Sequence, residues 1–148
     1  MTEDYIRRVQ YHETDKMGIT HHSNYIKWME EARISFLEQI GYGYARLERD
    51  GIVSPVVAVE CQYRRATTFH DEVRIHVRVE EFRGVRLVVG YTMVNTATGE
   101  TVLTGKTTHC FTDRSGRPLI LKKQFPEFDA CLRDLAAGEE TGTTQLRG

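Results

Sequence analysis

The stretch YHETDKMGITHHSNYIKW, Tyr11 to Trp28, crowds His12, Glu13, Asp15, His21 and His22 in front of an apolar pattern. Two chemistries suit these residue types. His12, Asp15, His21 and His22 have the side chains of metal ligands, but the rigid HExxH spacing of a helix-borne zinc site is absent. Adjacent His21 and His22 are expected to point different ways, which leaves one of them poorly placed to join the same metal, so no metal is expected. Acid-base chemistry fits better. Asp15 stands a few residues before a helix start, whose free amides and dipole favour a carboxylate or a developing oxyanion. If Gly18 lets the backbone turn tightly, Asp15 can face a substrate carbonyl whose oxygen meets the amides at His22 to Asn24. Asp15 would then attack directly or activate a water, His22 would orient the substrate, water or carboxylate, and Tyr11 would donate a hydrogen bond. Against this stands a plain alternative, that Asp15 and Thr14 only satisfy loop amides.

The elements that must hold this loop can be read from periodicity. Tyr25, Met29, Ala32, Phe36 and Ile40 recur at spacings of three and four, which predicts a helix over Asn24 to Ile40, about 24 Å long. Ser23 or Asn24 can cap its start and Gly41 can end it. Ile26, Trp28, Ile34 and Leu37 lie off the main stripe, so more than one face should be covered. A strand-like segment, Tyr5 to Tyr11, precedes the loop. From Ser54 onward the period is two: strands are expected at Val56 to Tyr63, 71 to 82, 85 to 96 and 101 to 112, with turns at Arg83-Gly84 and Thr98-Gly99. Val88 and Val94 make the 85 to 96 strand apolar on both faces. A short helix is expected near Glu127 to Leu135. One helix followed by a meander defines an α+β class with the sheet curled around the helix. Such an open sheet leaves an edge strand, which edge-to-edge dimerisation would pair, with a groove shared between two chains.

With 148 residues, the chain reads as one domain over residues 1–135 and a small, polar, disordered tail over 136–148. A net charge of -1, from 20 basic and 21 acidic residues, gives no field for nucleic acid or an anionic membrane. No apolar run approaches the ~20 residues of a membrane span, and the N-terminus lacks the layout of a secretion signal. Cys61, Cys110 and Cys131 are widely spaced and odd in number, as buried reduced thiols in a cytoplasmic protein would be. Tyr25 and Trp28 read as core or pocket packing, His109 as a packed strand histidine, and Gly105 as a bulge or close approach.

The run Tyr11 to Tyr25, followed by Glu31-Ala32-Arg33, resembles the motif of hotdog-fold acyl-CoA thioesterases. It is similar to the 4-hydroxybenzoyl-CoA thioesterase family, including its short-chain and Tol-Pal-associated members, over about residues 4 to 125. His70-Asp71-Glu72-Val73 falls at that family's usual turn into a strand. The resemblance implies a long central helix wrapped by a five-stranded antiparallel sheet. It also implies Asp15 as catalytic carboxylate, His22 and Tyr11 in support, and a main-chain amide near His22 and Ser23 polarising the thioester carbonyl. Gly18, Ser23, Tyr25, Arg64 and Arg65 would contact the substrate, the arginines as candidates for coenzyme A phosphates. No metal or separate cofactor is implied, because coenzyme A arrives as part of the substrate. The expected assembly is a homodimer, extended to a homotetramer. Two departures stand out: Glu13 replaces the more usual aspartate, and Arg65 replaces a frequent proline. The competing readings are a non-hydrolytic acyl-CoA or acyl-carrier-protein binding protein and a hotdog dehydratase, the latter resembling a different motif.

Overall fold

Alternating Val73, Ile75, Val77 and Val79 against Arg74, His76, Arg78 and Glu80 can satisfy one dry and one wet face only as a strand. The computed structural model describes residues 2–147, with side chains as far as Gly138, and places that strand among five. The chain order is β1 (Tyr5–Arg8), a 3-10 turn (Tyr11–Glu13), α1 (Ser23–Gln39), α2 (Tyr44–Asp50), β2 (Val56–Tyr63), β3 (Glu72–Phe82), β4 (Arg86–Asn95), β5 (Thr101–Cys110), α3 (Leu121–Gln124) and α4 (Pro126–Arg147). The sheet order is β1-β3-β4-β5-β2. β1 runs antiparallel to β3, pairing Tyr5 with Ile75 and Arg8 with Glu72. The short links from β3 through β4 to β5 permit only antiparallel neighbours. β2 opposes β5, because Arg64 bonds to Val102 while Cys110 bonds to Pro55 at the other end.

The chain divides into two compact units, Met1–Gly43 with Cys61–Val77 and Tyr91–Gly105, and Tyr44–Glu60 with Arg78–Gly90 and Lys106–Gly148. In the first, Trp28, Met29, Val73, Ile75, Met93 and Leu103 are fully buried. In the second, Phe111 meets Phe82 and Phe128 edge to face at 6.3 and 5.7 Å. β4 is buried at five consecutive positions, Leu87 to Tyr91, as its two-sided apolar pattern predicts.

The structure departs from the periodicity reading in specific places. β1 ends at Arg8, although the Val9 amide still bonds to Asp71, and Tyr11 to Glu13 forms the 3-10 turn instead of more strand. α1 buries Tyr25, Trp28, Met29, Ala32 and Phe36 along one stripe, while Ile26 and Ile34 each remain 42% exposed. The expected cover on a second face is not found among the described residues. α2 and α3 are too short and polar to show a period; Leu47 and Leu121 are their buried residues. The three cysteines are free thiols, but half-buried instead of buried. His109 is packed as expected, with Nε2 2.8 Å from the Thr107 hydroxyl. The short helix expected near Glu127 to Leu135 is α4, which starts at Pro126 and continues to Arg147 through the stretch read as a tail, where side chains are described only as far as Gly138.

Candidate active site

The loop between β1 and α1 folds as a small hairpin. Thr14 bridges Thr20, the Asp15 amide donates to the Ile19 carbonyl at 2.8 Å, and the Gly18 amide donates to the Asp15 carbonyl at 2.9 Å. Gly18 closes this turn at φ +81, a left-handed conformation that glycine adopts without a steric penalty. The Asp15 side chain is half-buried, and its Oδ1 accepts the Met17 amide at 2.8 Å. Oδ2 has no hydrogen-bond partner among the described residues. One oxygen therefore shapes the turn and the other is available to a ligand.

The hairpin is fastened at its far side. Ile19 bridges Thr68, and Thr20 bonds to Thr67 through both main chain and hydroxyl, the two hydroxyls lying 2.7 Å apart. The Tyr25 hydroxyl joins the Thr67 hydroxyl at 2.9 Å. Tyr25 is thus core packing with a satisfied polar tip, 4.9 Å edge-on from Trp28.

At the helix start the caps differ from the sequence reading. Ser23 is the first helical residue and its side chain does not cap. Instead His21 Nδ1 accepts the Ser23 amide at 3.2 Å and lies 2.8 Å from its hydroxyl. Asn24 turns inward and donates from Nδ2 to the carbonyls of Glu13 and His21. The Asn24 and Tyr25 amides go to the carbonyls of His21 and His22. The His22 amide alone, of the three from His22 to Asn24, has no acceptor among the described residues. A helix-start N–H left open in this way is suited to polarising a carbonyl oxygen. The exposed His22 ring stacks on His21 at 4.4 Å and meets Tyr63 edge-on at 6.2 Å.

Asp15, Gly18, His22, Ser23 and Tyr25 thus share one loop and helix start. Tyr11 lies on the same loop but is 76% exposed and packs edge-on against Phe69. Both Arg64 and Arg65 donate their amides to the Val102 carbonyl, a two-against-one pairing that makes a bulge at the end of β2. Arg64 reaches the Thr104 hydroxyl at 3.3 Å, whereas Arg65 pairs with Glu100 at 2.9 Å. Among the described residues no group of three or more His, Cys, Asp or Glu side chains is placed to hold a metal ion.

Sequence reasoning did not foresee Tyr63, Thr67 or the burial of Glu13. The Tyr63 hydroxyl is held above its usual range by burial first and by Cys61 next. It therefore stays a neutral donor beside His22. A cavity of about 400 Å³ in the second unit, lined by Asp50, Asp113, Arg114 and Phe125 among others, takes no residue from the loop. Neither Asp15 nor His22 lines it.

Comparison with known proteins shows the family and the fold. The model of the thioesterase-like superfamily matches residues 9–135. A Bacillus subtilis protein, provisionally named acyl-CoA thioesterase YneP, is 34% identical over 121 residues, 81% of this chain and 87% of its own. The acyl-CoA thioester hydrolase YbgC of Escherichia coli is 26% identical over 88 residues, 60% and 66% of the two chains. The DHNA-CoA thioesterase of Staphylococcus aureus superposes with a TM-score of 0.88 at 30% identity, covering 95% of this chain and 94% of that one. The chain belongs to the thioesterase-like superfamily and has its hotdog fold.

Proposed function

We propose that this thioesterase hydrolyses an acyl-CoA thioester, with Asp15 as general base or nucleophile and the His22 amide holding the thioester oxygen. The observation that carries the reading is the split use of Asp15: Oδ1 is pinned by the Met17 amide while Oδ2 is open. The substrate carbonyl accepts the His22 N–H, and its carbon faces Oδ2. Oδ2 either takes a proton from an attacking water or attacks the carbon itself. In both routes the C–S bond breaks and the sulfur leaves as thiolate; water supplies the hydroxyl of the free acid and the proton of the thiol. The direct route passes through an acyl-Asp15 anhydride that water then opens. Charge building on the carbonyl oxygen is met by a fixed N–H at a helix start. His22 and Tyr63 border the reacting carbon, and Tyr11 reaches the substrate only once one is bound.

Arg64 is the readier partner for a coenzyme A phosphate, because Arg65 must first release Glu100. No metal or separate cofactor enters this reaction. We place the active form as a homodimer, and a tetramer of two dimers, with coenzyme A in a groove between protomers and β2 as the joining edge. No described helix is long and apolar enough to cross a membrane, and we propose a cytoplasmic location.

A second reading has one observation in its favour: the Asp15-to-Met17 bond is what a purely structural aspartate makes in a turn. It would leave a protein that binds acyl-CoA, or an acyl carrier protein, without cleaving it. Thiol release across acetyl, medium-chain, long-chain and aromatic acyl-CoAs separates the two. Asp15→Asn is expected to lower kcat about 10²- to 10⁴-fold, the range for loss of a positioned base. A near-normal rate in that variant would remove Asp15 from the mechanism, and binding without release across the panel would favour the second reading.

A further inference from the structure

We infer that Glu13 is a positioning residue for this hydrolysis: its buried carboxylate, clamped by Arg7 and Trp28, fixes the loop that carries Asp15 against the helix start that carries the His22 amide. The inference rests on the assignment of Asp15 above. Glu13 is 3% exposed. Its Oε1 accepts Arg7 Nη1 at 2.9 Å and the Gln10 amide at 2.8 Å; its Oε2 accepts Arg7 Nη2 at 2.8 Å and Trp28 Nε1 at 3.0 Å. The Glu13 carbonyl accepts the His21 amide at 2.8 Å and Asn24 Nδ2 at 3.0 Å. One residue thus ties β1, the entrance of the loop, its exit and α1. Arg7 also lies 5.4 Å over the Trp28 ring and bonds to Glu31 at 2.9 Å, and Glu31 in turn accepts the Tyr5 hydroxyl at 3.0 Å.

Every partner of the Glu13 carboxylate is a donor, so only a group that accepts on both oxygens fills the place. Its acceptor positions are occupied and it does not reach the reacting atoms, which excludes it as a second base. Its effect passes through Asp15, two residues on, with Thr14 pinned to Thr20 between them. Glutamine has almost the same shape but turns an NH₂ toward donors, either Arg7 Nη1 with the Gln10 amide or Arg7 Nη2 with Trp28 Nε1. Aspartate keeps both acceptors but is one methylene short.

The test is steady-state hydrolysis of the best acyl-CoA of the panel by Glu13→Gln, Glu13→Asp, Asp15→Asn and Glu13→Gln/Asp15→Asn, with circular dichroism to verify folding. Glu13→Gln is expected to lower kcat about ten- to hundred-fold with KM within about two-fold, the signature of a misplaced catalytic group. Glu13→Asp should recover part of that loss. In the Asp15→Asn background, Glu13→Gln should cost no more than about two-fold, because a residue acting through Asp15 has nothing left to position. An equal loss in both backgrounds, or a folded Glu13→Gln at the wild-type kcat, overturns the inference. Should Glu13→Gln not fold, Glu13→Asp carries the same comparison in both backgrounds. Asp15→Asn at the wild-type rate brings down the Asp15 assignment and this inference together; an inactive Asp15→Asn beside an unimpaired Glu13→Gln brings down the inference alone.

Discussion

Two carboxylates two residues apart in the loop have been put to opposite uses. Asp15 keeps one oxygen open, whereas Glu13 has its acceptor positions filled. Burial alone would push the Glu13 carboxyl up, but the bonds from Trp28, the Gln10 amide and Arg7, with the Arg7 charge, hold it below the usual range. On Arg7, burial works against the charge, and Glu31 and Glu13 together hold it above its ordinary value. A carboxyl depressed in the folded state adds stability that is complete above the ordinary value near 4.5, and loses it as pH falls through the folded value. The wild-type protein should therefore exceed Glu13→Gln in urea midpoint at pH 7, and the gap should narrow as the pH is taken well below 4.5. A gap independent of pH would show that Glu13 is not an ionised carboxylate in the folded protein. Arg7, Glu31 and Tyr5 face the same cluster and are present in both proteins. Residue types and spacing singled out Asp15 and His22 as candidates on one loop and helix start. They did not reveal the clamp, because Arg7, Glu13 and Trp28 meet only when β1 and α1 pack.

The elements show where periodicity carries information and where it stops. β3 and most of β5 follow their alternation, β4 follows its two-sided apolar pattern, and the end of α1 could be read from Gly41. The Gly41 amide bonds to Glu38 and the Tyr42 amide to Leu37, the paired reverse bonds of a glycine-closed helix. Its start could not be read as well, since the N-cap position is His22 and the Ser23 amide goes to the His21 ring, a side chain that sequence preference does not put there. α2 and α3 are too short to establish a period. Gly18 and Gly41 make a matched pair for testing the loop. Both have positive φ, and an added Cβ meets no atom within 4 Å at either, so alanine introduces strain and no clash. Each substitution should cost about 1 kcal/mol of stability. Only Gly18→Ala should also lower kcat, because its turn places Asp15 while Gly41 closes the other end of the helix. Thiol-release kinetics beside urea unfolding measure both quantities; an equal effect of the two variants on kcat would mean that the turn does not set the chemistry.

At the scale of the molecule, the sheet leaves β1 and β2 as its edges, and they are not alike. β1 has four residues, half-buried or exposed in alternation. β2 has eight, of which seven are exposed, with Val56, Val57 and Val59 at 44, 60 and 43%. A long apolar edge without a covering element is an aggregation hazard unless another strand pairs with it. Apolar residues on both faces of β2 are exposed, as are Ile26 and Ile34 on α1. Periodicity in β2 announced a strand but could not say that it would lie exposed, since a pattern records which residues prefer to be dry and not what dries them. Joining two copies through β2 would pair the β2 edge of each and leave the short β1 edges as they are. Val57→Lys/Val59→Lys places two like charges from each copy along that edge, which opposes pairing while leaving the protomer core untouched. Analytical ultracentrifugation should find the wild-type at a multiple of 17.1 kDa and the variant shifted toward 17.1 kDa. Because the groove for coenzyme A is placed between protomers, KM should rise with the loss of assembly. A wild-type protein that sediments as a monomer with full activity would mean that one copy holds a complete site.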